Sequence, residues 1–360
     1  MLRLRLNSIL RNWEKKLVSL NEIGVSKQII LGNFKRFQSI NKGEIWPVLK
    51  GNGYGAGIEV MSEVLGPLKP RYIVVDSYME ALDVWLKLPY QSVLLIGTNN
   101  INNLKMFDFK RVTIMVQNFE DIEELKRIDK PIKIHIKLNT GMNRQGFDQG
   151  DLEKLKKIMV RAEKIEVEGI MSHLAKGANL EETKKQENMF LEMVDHLDLS
   201  PQFLHLGATE GITTVKNKRI NAFRLGLGIY RGAIRWKSTI IKIRWVKKGE
   251  GVGYDLSQKL KQDGWVGLIA AGYYEGVDRR LSGKGWVKYK DKYYPIIGRI
   301  SMNMMSVNFG NIKPKLWEGV EIVEAGVSGM CSVDKIAQEC QTIPYEILVK
   351  LNPKLKRVII

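Results

Sequence analysis

The sequence predicts an α/β fold: a (β/α)8 barrel of the TIM type followed by a second, mainly β domain. From about residue 12 to 235, short apolar runs alternate with segments of helical spacing, which is typical of parallel strands joined by crossover helices. About eight such units are present, the number that a closed barrel needs. From residue 236 to 360 the segments become short, β-rich and separated by glycine and charged turns.

The predicted barrel elements follow one another in a regular order. The first strand candidate leads into VLKGN, and the next segment has helical spacing at Ile58, Met61 and Leu65. The later strand candidates are RYIVVDS, SVLLIGT, VTIMVQN, IKIHIKLNTG, VEGIMSHLA, QFLHLGAT and NAFRLGLGIYRG. A doubly wound open sheet would show the same alternation, but no GxGxxG motif opens the first helix.

The second domain is predicted from its β-rich segments. They are STIIKIRWVKKGEGVGY, GWVGLIAAGYY, GWVKYKDKYYPIIGRI, MNMMSVNFG and VEIVEAG, and YKDKYY within them predicts a hairpin. Residues 1–11, in which Leu and Arg alternate, predict a short strand that joins this β domain.

Composition narrows the class of protein. No apolar run reaches the roughly 20 residues of a membrane helix, and the first residues lack the apolar core of a signal peptide. Cys331 and Cys340 form no CxxC motif, so neither a disulfide framework nor a zinc site is expected, and a cytoplasmic location is predicted. The net charge of +18 would suit nucleic acid, but the cations are spread along the chain, which favours an anionic small molecule as the partner.

Polar residues follow several predicted strands, where a barrel carries its functional groups. They are Lys50, Lys137, Arg144, His173, Thr209, Arg224 and Gly226. The set has no carboxylate pair, which argues against a metal site and against glycoside hydrolysis. It suits an anionic cofactor held covalently through lysine. Taken singly, each of these residues is more often structural than catalytic.

Several motifs in a fixed order make the chain resemble the alanine racemases, pyridoxal-phosphate enzymes with a barrel and a C-terminal β domain. The motifs are VLKGNGYGAG, IKLNTGMNRQGF, GIMSHLA, RLGLGIY, VGYDLSQ, AAGYYEGVDRRL and IIGRISMNM. The resemblance spans nearly the whole chain. It implies pyridoxal 5'-phosphate as cofactor, conversion of L-alanine to D-alanine for peptidoglycan, and a homodimer with shared active sites.

The resemblance also implies roles for individual barrel residues. Lys50 would bind the cofactor covalently and act as the base on one face of the substrate Cα. Arg224 would face the pyridine nitrogen and leave it unprotonated, because a guanidinium does not give up its proton. The phosphate would be held by Tyr54, Thr209 and the backbone of Gly226 and Leu227.

A second base is required on the opposite face, because racemisation removes a proton on one side and returns it on the other. The resemblance assigns this role to Tyr254, reaching the site from the partner subunit. A phenol is a poor base at neutral pH, and positive charge from a chain linking His173 to Arg224 would assist it. The substrate side would be lined by Arg144, Lys137, Met302, Tyr273 and Arg299, with Lys137 at a position where some members carry a carbamate.

Three departures from the family pattern bear on the substrate. Asn303 and Pro353 stand where an acidic residue and a tyrosine are common, and Ala208 replaces an asparagine beside the phosphate. Asn303 and Pro353 predict a wider and more positive substrate channel that tolerates larger or acidic amino acids. The alternatives are a racemase of broader or different specificity, an inactive pyridoxal-phosphate-binding homologue, and a related barrel decarboxylase, which would carry a carboxylate instead of Arg224.

Overall fold

The structure, a computed structural model, describes residues 18–360 and divides into two compact units. The parallel unit is Ser26–Ala233, and the antiparallel unit combines residues 18–25 with residues 234–358. The strand predicted at residues 1–11 lies outside the described residues. The sequence placed residues 18–25 in the barrel, within its predicted range 12–235. The structure places them in the antiparallel unit, because Asn21–Val25 pairs with the first long strand of that unit.

The strands are numbered in chain order. They are β1 (Asn21–Val25), β2 (Glu44–Pro47), β3 (Ile73–Val75), β4 (Val93–Leu95), β5 (Val112–Val116), β6 (Ile132–Lys137), β7 (Ile165–Met171), β8 (Phe203–His205), β9 (Ala222–Leu225), β10 (Ile234–Val246), β11 (Gly251–Val252), β12 (Gln258–Lys259), β13 (Gly264–Ile269), β14 (Trp286–Tyr289), β15 (Lys292–Ile297), β16 (Met305–Gly310), β17 (Gly319–Val323) and β18 (Lys356–Ile359).

Most of the helices lie between strands of the parallel unit, and two lie near the end of the antiparallel unit. They are α1 (Lys27–Ile40), α2 (Lys50–Tyr54), α3 (Ile58–Leu65), α4 (Tyr78–Trp85), α5 (Phe119–Lys126), α6 (Leu152–Val160), α7 (Leu180–Leu197), α8 (Gly211–Thr214), α9 (Leu227–Tyr230), α10 (Val333–Glu339) and α11 (Pro344–Val349). None of these helices is both long and apolar enough to cross a membrane.

Parallel strands form the framework of the parallel unit. Strands β3 to β8 make a six-stranded sheet in sequence order, and β2 pairs in parallel with β9. Val48, just after β2, bridges to Val74 of β3. The backbone N–H groups of Asn221 and Arg224 donate to the carbonyls of Leu204 and Gly207, which joins β9 to the chain at β8. The carboxyl ends of these strands therefore meet at one edge.

Local sequence explains why helices begin directly after these strands. Strands such as β3 and β4 are wholly apolar and buried, as expected when both faces of a sheet are covered. Ser26, Ser77, Asn118 and Asn179 then cap the next helices, and each side chain accepts a hydrogen bond from the backbone N–H three residues on. A polar capping residue thus fixes where each of these helices begins.

The antiparallel unit is a sheet that closes on itself. Its strands lie in the order β13-β16-β15-β14-β17-β10-β1-β18, and a further pairing of β13 with β10 closes six of them into a barrel. The predicted hairpin at YKDKYY is confirmed as β14–β15. Lys290 and Asp291 form its two-residue turn with φ of 48° and 63°, the left-handed pair that matches the twist of the strands. The prediction of an α/β unit followed by a mainly β unit is confirmed.

Candidate active site

Lys50 lies in a left-handed turn just after β2. Gly51, Asn52 and Gly53 have φ of 64°, 54° and 60°, a conformation that glycine and asparagine adopt at little cost. The Lys50 side chain is 43% exposed, and its Nζ lies 3.9 Å from the carboxylate of Asp76. The turn therefore presents the amine to solvent at the carboxyl edge of the strands.

Replacing Gly53 by alanine is expected to destabilise the protein by about 1–2 kcal/mol, because an L side chain is strained at φ +60°. The new Cβ would also lie 3.3 Å from the Met61 side chain. The matched control is Gly32→Ala in α1, where nothing lies within 4 Å and alanine should stabilise by about 1 kcal/mol. Urea denaturation of both variants checks the opposite signs; equal effects would contradict the strain argument.

Tyr54, at the end of this turn, packs closely against Gly226. A Cβ on Gly226 would lie 2.6 Å from the hydroxyl of Tyr54, which itself is buried. The hydroxyl of Thr209 accepts a hydrogen bond from the backbone N–H of Gly228 at 3.1 Å. Three predicted phosphate-binding residues, Tyr54, Thr209 and Gly226, are thus brought together around α9, which begins at Leu227.

Arg224 is a buried cation that is 3% exposed. Its guanidinium donates to the carbonyls of Ser172 and His205 at 2.6 and 3.1 Å, and it lies 2.5 Å from Nδ1 of His205. No carboxylate pairs with it among residues 18–360. Burial lowers the pKa of Arg224 to about 10, so the group stays charged at neutral pH.

His173 is half-buried, with its Nδ1 3.4 Å from the Arg224 guanidinium. Burial lowers the pKa of His173 to about 3, and the charges of Arg224 and Lys137 add to the effect. The imidazole is therefore neutral at physiological pH. The predicted chain from His173 to Arg224 exists, but its positive charge resides on Arg224.

Lys137 ends β6 and is 6% exposed. Its amine donates to the side-chain oxygen of Gln145 at 3.0 Å. Burial lowers the pKa of Lys137 to about 8, helped by the charges of Arg224, Arg144 and Lys50. Lys137, Arg144 and His173 line one small pocket, so the structure brings these predicted residues together.

The remaining predicted residues lie in the antiparallel unit. Tyr254 is 67% exposed, and Arg299 pairs with the adjacent Asp255 at 2.5 Å. Tyr273 and Met302 are also exposed and lie in neighbouring loops, because the backbone N–H of Tyr273 donates to the carbonyl of Ser301. This unit therefore presents its predicted site residues at its surface.

Family comparison covers almost the whole chain. The family model described as "Alanine racemase, N-terminal domain" matches residues 25–233, and the model described as "Alanine racemase, C-terminal domain" matches residues 233–359. The chain belongs to the alanine racemase family.

Two curated alanine racemases illustrate the degree of similarity. The chain is 30% identical to the alanine racemase of Helicobacter pylori (strain P12), over 91% of this chain and 96% of that protein. It is also 30% identical to the alanine racemase of Francisella tularensis subsp. tularensis (strain FSC 198), over 95% of this chain and 100% of that protein. Members of this isomerase family are therefore similar to the chain from end to end.

Solved alanine racemases share the fold. The enzyme from Bartonella henselae, described with covalently bound pyridoxal phosphate, superposes with a TM-score of 0.86 and 24% identity, covering 95% of this chain and 100% of that chain. The enzyme from Bacillus anthracis, described with bound L-Ala-P, gives a TM-score of 0.88 and 23% identity, covering 96% of each chain.

The departure at Asn303 from the usual alanine racemase pattern has a partner in the structure. The Asn303 side-chain amide donates to a carboxylate oxygen of Glu275 at 2.8 Å. A carboxylate therefore remains beside this position, which offsets the predicted gain of positive charge.

Sequence reasoning missed several residues around the predicted alanine racemase site. Glu80 accepts hydrogen bonds from the backbone N–H groups of Gly51 and Asp76 at 2.7 and 2.8 Å, and so ties the lysine turn to the end of β3. Gln145, the partner of Lys137, was also missed. His135 and His205 interrupt the apolar runs IHIK and FLHL, and that interruption of a buried strand was the available signal.

Stability should depend on pH through Lys137. Because its folded-state pKa is about 8, below the ordinary 10.5, the unfolded chain binds the proton more tightly, and stability rises with pH between those values. Lys137→Met removes the cost of burying the charged amine but also loses the hydrogen bond to Gln145. The net result should be a variant about 2 kcal/mol more stable than the parent at pH 7. This advantage should vanish near pH 10.5, where the amine of the parent loses its proton in the unfolded state as well.

Urea denaturation of the cofactor-free protein, from pH 7 to 10.5 in buffer purged of carbon dioxide, measures this difference. The matched control is Lys130→Met, because Lys130 is exposed in the loop before the same strand. A constant difference between parent and Lys137→Met across this range would contradict the assignment.

Proposed function

We propose that this chain racemises alanine with pyridoxal phosphate, with Lys50 and the Tyr254 of a second copy as the two bases. The observation that carries the proposal is the arrangement at one edge of the parallel unit. There, the exposed amine of Lys50 lies after β2, and Gly226 lies against the Tyr54 hydroxyl. The buried cation of Arg224 has no carboxylate partner among the described residues. Curated relatives 30% identical to the chain are alanine racemases, which supports the same reaction.

The residues present suit the cofactor. A Cβ on Gly226 would clash with the Tyr54 hydroxyl at 2.6 Å, so the glycine lets that hydroxyl lie against the backbone at the start of α9, where both would reach one phosphate. Tyr54, Thr209, Gly226 and Leu227 would hold the phosphate. When bound, pyridoxal phosphate withdraws electrons from the substrate and so makes the hydrogen on Cα acidic.

Each protein group then has a defined task. The Lys50 amine moves the proton on one face of the substrate Cα, and the Tyr254 phenol moves it on the other. Arg224 would donate a hydrogen bond to the pyridine nitrogen of the bound cofactor, because a guanidinium cannot accept one. Arg144 attracts the substrate carboxylate. The neutral fraction of the Lys137 amine, available because its pKa is about 8, can add to dissolved carbon dioxide and lose one N–H proton to solvent, which gives a carbamate.

The active site is proposed to be complete only in a homodimer. Tyr254 and Met302 are exposed on the antiparallel unit, as expected for groups that act in a partner's site. Tyr273 and Arg299 would line the substrate channel.

We also infer that β2 to β9 close into a (β/α)8 barrel. The strand order is sequential, and the Val48–Val74 bridge and the hydrogen bonds from β9 to the end of β8 support closure. A doubly wound sheet would instead have a strand order that reverses at a switch point. The two compact units divide between residues 233 and 234. The cytoplasmic location and the role in peptidoglycan synthesis stay predictions.

The decisive experiment uses the purified full chain with pyridoxal phosphate. We expect a visible absorbance band from the covalent adduct of lysine and cofactor, and formation of D-alanine from L-alanine, detected by chiral chromatography. A band without D-alanine would favour the inactive cofactor-binding homologue or the decarboxylase, and carbon dioxide release would separate those two. Neither a band nor D-alanine would overturn the proposal.

A panel of D- and L-amino acids tests the breadth of the substrate range. The widened channel predicts measurable rates with larger or acidic amino acids. The Asn303–Glu275 contact keeps a carboxylate near this channel, and this negative charge predicts that substrates with larger neutral side chains react faster than acidic ones. Strict preference for alanine would contradict the widened channel. Faster reaction of acidic substrates would contradict the role of Glu275.

A further inference from the structure

A row of buried side chains leads from Arg224 into the interior of the parallel unit. The guanidinium lies 2.5 Å from Nδ1 of His205, and Nε2 of His205 lies 2.7 Å from Nδ1 of His135. Nε2 of His135 faces a carboxylate oxygen of Glu168 at 3.7 Å. Both imidazoles have no exposed surface, and Glu168 is almost as buried. Together these four side chains form the buried row.

The chemistry at one end of the buried row determines where each proton lies. A guanidinium only donates hydrogen bonds, so Nδ1 of His205 must be the unprotonated, accepting nitrogen. The proton of His205 is then on Nε2 and is donated to Nδ1 of His135. His135 must therefore carry its own proton on Nε2, the nitrogen that faces Glu168. The carboxylate at the far end favours the same direction: 3.7 Å is longer than a hydrogen bond, but its negative charge attracts the N–H on Nε2 of His135.

A charged imidazole does not fit this arrangement. If His135 were protonated on both nitrogens, it would donate to Nε2 of His205, and His205 would then have to accept at both of its nitrogens. A neutral imidazole cannot do that. Burial also lowers the pKa of both histidines, which favours the neutral forms.

Packing leaves the buried row little freedom. The Trp46 ring lies 4.9 and 5.8 Å from the rings of His205 and His135. A Cβ on Gly169 would come within 2.7 Å of the His135 ring, so that ring occupies the space that a side chain at 169 would take.

The Glu168 carboxylate is itself fixed. It accepts hydrogen bonds from the hydroxyl of Tyr72, from Lys133 at 2.9 Å and from Arg71 at 3.1 Å. These bonds hold the pKa of Glu168 well below its usual range, so it is an anion at neutral pH. The buried row therefore begins at a fixed cation and ends at a fixed anion.

We propose that Glu168 is a positioning residue for Arg224, acting through His135 and His205 to orient the guanidinium toward the cofactor. This inference rests on the proposed function, because it assumes that Arg224 faces the pyridine nitrogen. Besides backbone carbonyls, the guanidinium of Arg224 contacts two imidazoles, His173 at 3.4 Å and His205 at 2.5 Å. The contact with His205 is the one that leads on through His135 toward the charge of Glu168. The anion acts on the N–H of His135 through its charge across 3.7 Å. The contacts from His135 to His205 and from His205 to Arg224 polarise one another, so loss of that charge weakens both.

Nuclear magnetic resonance of histidine nitrogens tests the proton positions directly. The chain has 4 histidines, so spectra of the full protein labelled with ¹⁵N-histidine are simple to assign, and exposed His196 serves as a reference. With and without pyridoxal phosphate, His135 and His205 should be neutral with the proton on Nε2, from pH 6 to 9. A proton on Nδ1 of either ring, or a doubly protonated ring, overturns the proposal without bearing on racemisation.

Glu168→Gln tests the action at a distance. The Nε2–H resonances of both His135 and His205 should move, although His205 does not contact residue 168. Pyridoxal phosphate should bind about tenfold more weakly, which is the effect of removing the partner that orients a metal-ligating side chain. The matched control is Glu166→Gln, which removes the same charge from an exposed side chain of the same strand and should change neither readout.

A second variant keeps the carboxylate but disturbs the row. Gly169→Ala displaces the His135 ring and should shift the same resonances as Glu168→Gln. If Glu168→Gln leaves the His205 resonance and the cofactor affinity at parent values, the positioning role is refuted. Failure of the proposed function would show separately, as absence of D-alanine formation by the parent protein.

Discussion

Lys50→Ala is expected to abolish the visible absorbance of the protein–cofactor adduct and to lower the rate of alanine racemisation by about 10⁴-fold. The variant loses the amine that is proposed both to bind the cofactor covalently and to act as the base on one face of the substrate. A positioned base alone contributes up to about that factor. Absorbance spectra after addition of pyridoxal phosphate and chiral detection of D-alanine measure the two losses separately.

A matched control and a rescue distinguish a missing amine from a damaged fold. Lys35→Ala removes an exposed lysine from α1 and should leave both the absorbance and the rate unchanged. Added methylamine should restore part of the D-alanine formation in Lys50→Ala, because it supplies an amine to the space that the side chain leaves. Retention of the absorbance band in Lys50→Ala would show that another group holds the cofactor.

Tyr254→Phe is expected to keep the absorbance band and to lower racemisation by about 10²–10⁴-fold, because it removes one of two proton-transfer groups and leaves the cofactor contacts intact. The loss should be one-sided. In deuterated water, one enantiomer of alanine should still exchange its Cα hydrogen through Lys50, whereas the other should not. Proton magnetic resonance of each enantiomer follows the exchange.

The control for Tyr254→Phe is Tyr90→Phe, because the Tyr90 side chain is 91% exposed in the parallel unit and lies in the loop before β4. It should have the parent rate in both directions. Mixing Tyr254→Phe with Lys50→Ala tests the shared site: a dimer that combines one chain of each has one active site with both bases, and activity should return. If Tyr254→Phe exchanges the hydrogen of both enantiomers at the parent rate, the two-base assignment is wrong.

These two predictions depend on groups that differ in accessibility. Lys50 is held by a left-handed turn, and Glu80 anchors that turn to the end of β3 through hydrogen bonds from the backbone N–H groups of Gly51 and Asp76. Tyr254 lies at the surface of the antiparallel unit in a turn adjacent to the Arg299–Asp255 pair. The lysine is therefore preorganised within its unit, whereas the tyrosine is available to a partner.

Much of the fold follows from local patterns. Short apolar runs such as β3 and β4, each followed by a polar cap, are visible in the sequence because buried parallel strands need apolar residues on both faces. The β-rich character beyond residue 236 is visible for a similar reason, since short strands and tight turns have their own composition. The assignment of residues 18–25 was not visible, because pairing of β1 with β10 joins residues more than 200 positions apart.

The candidate site was predictable where a residue type has a restricted chemistry. A lysine after a buried strand, glycines that permit left-handed backbone, and an arginine in the run AFRL are features of the sequence itself. The partners of these residues were not predictable, because a hydrogen bond such as that between His135 and His205 joins positions 70 residues apart.

The sequence by itself determined the order of the elements, the two-part organisation and the family resemblance, and it predicted Lys50 as the reactive amine. The tertiary structure decided the charge states around that amine. Burial makes His173 neutral and lowers the pKa of Lys137 to about 8, and it removes Arg224 from water without a carboxylate partner among residues 18–360. Charge states depend on desolvation and on long-range neighbours, which exist only once the chain has folded.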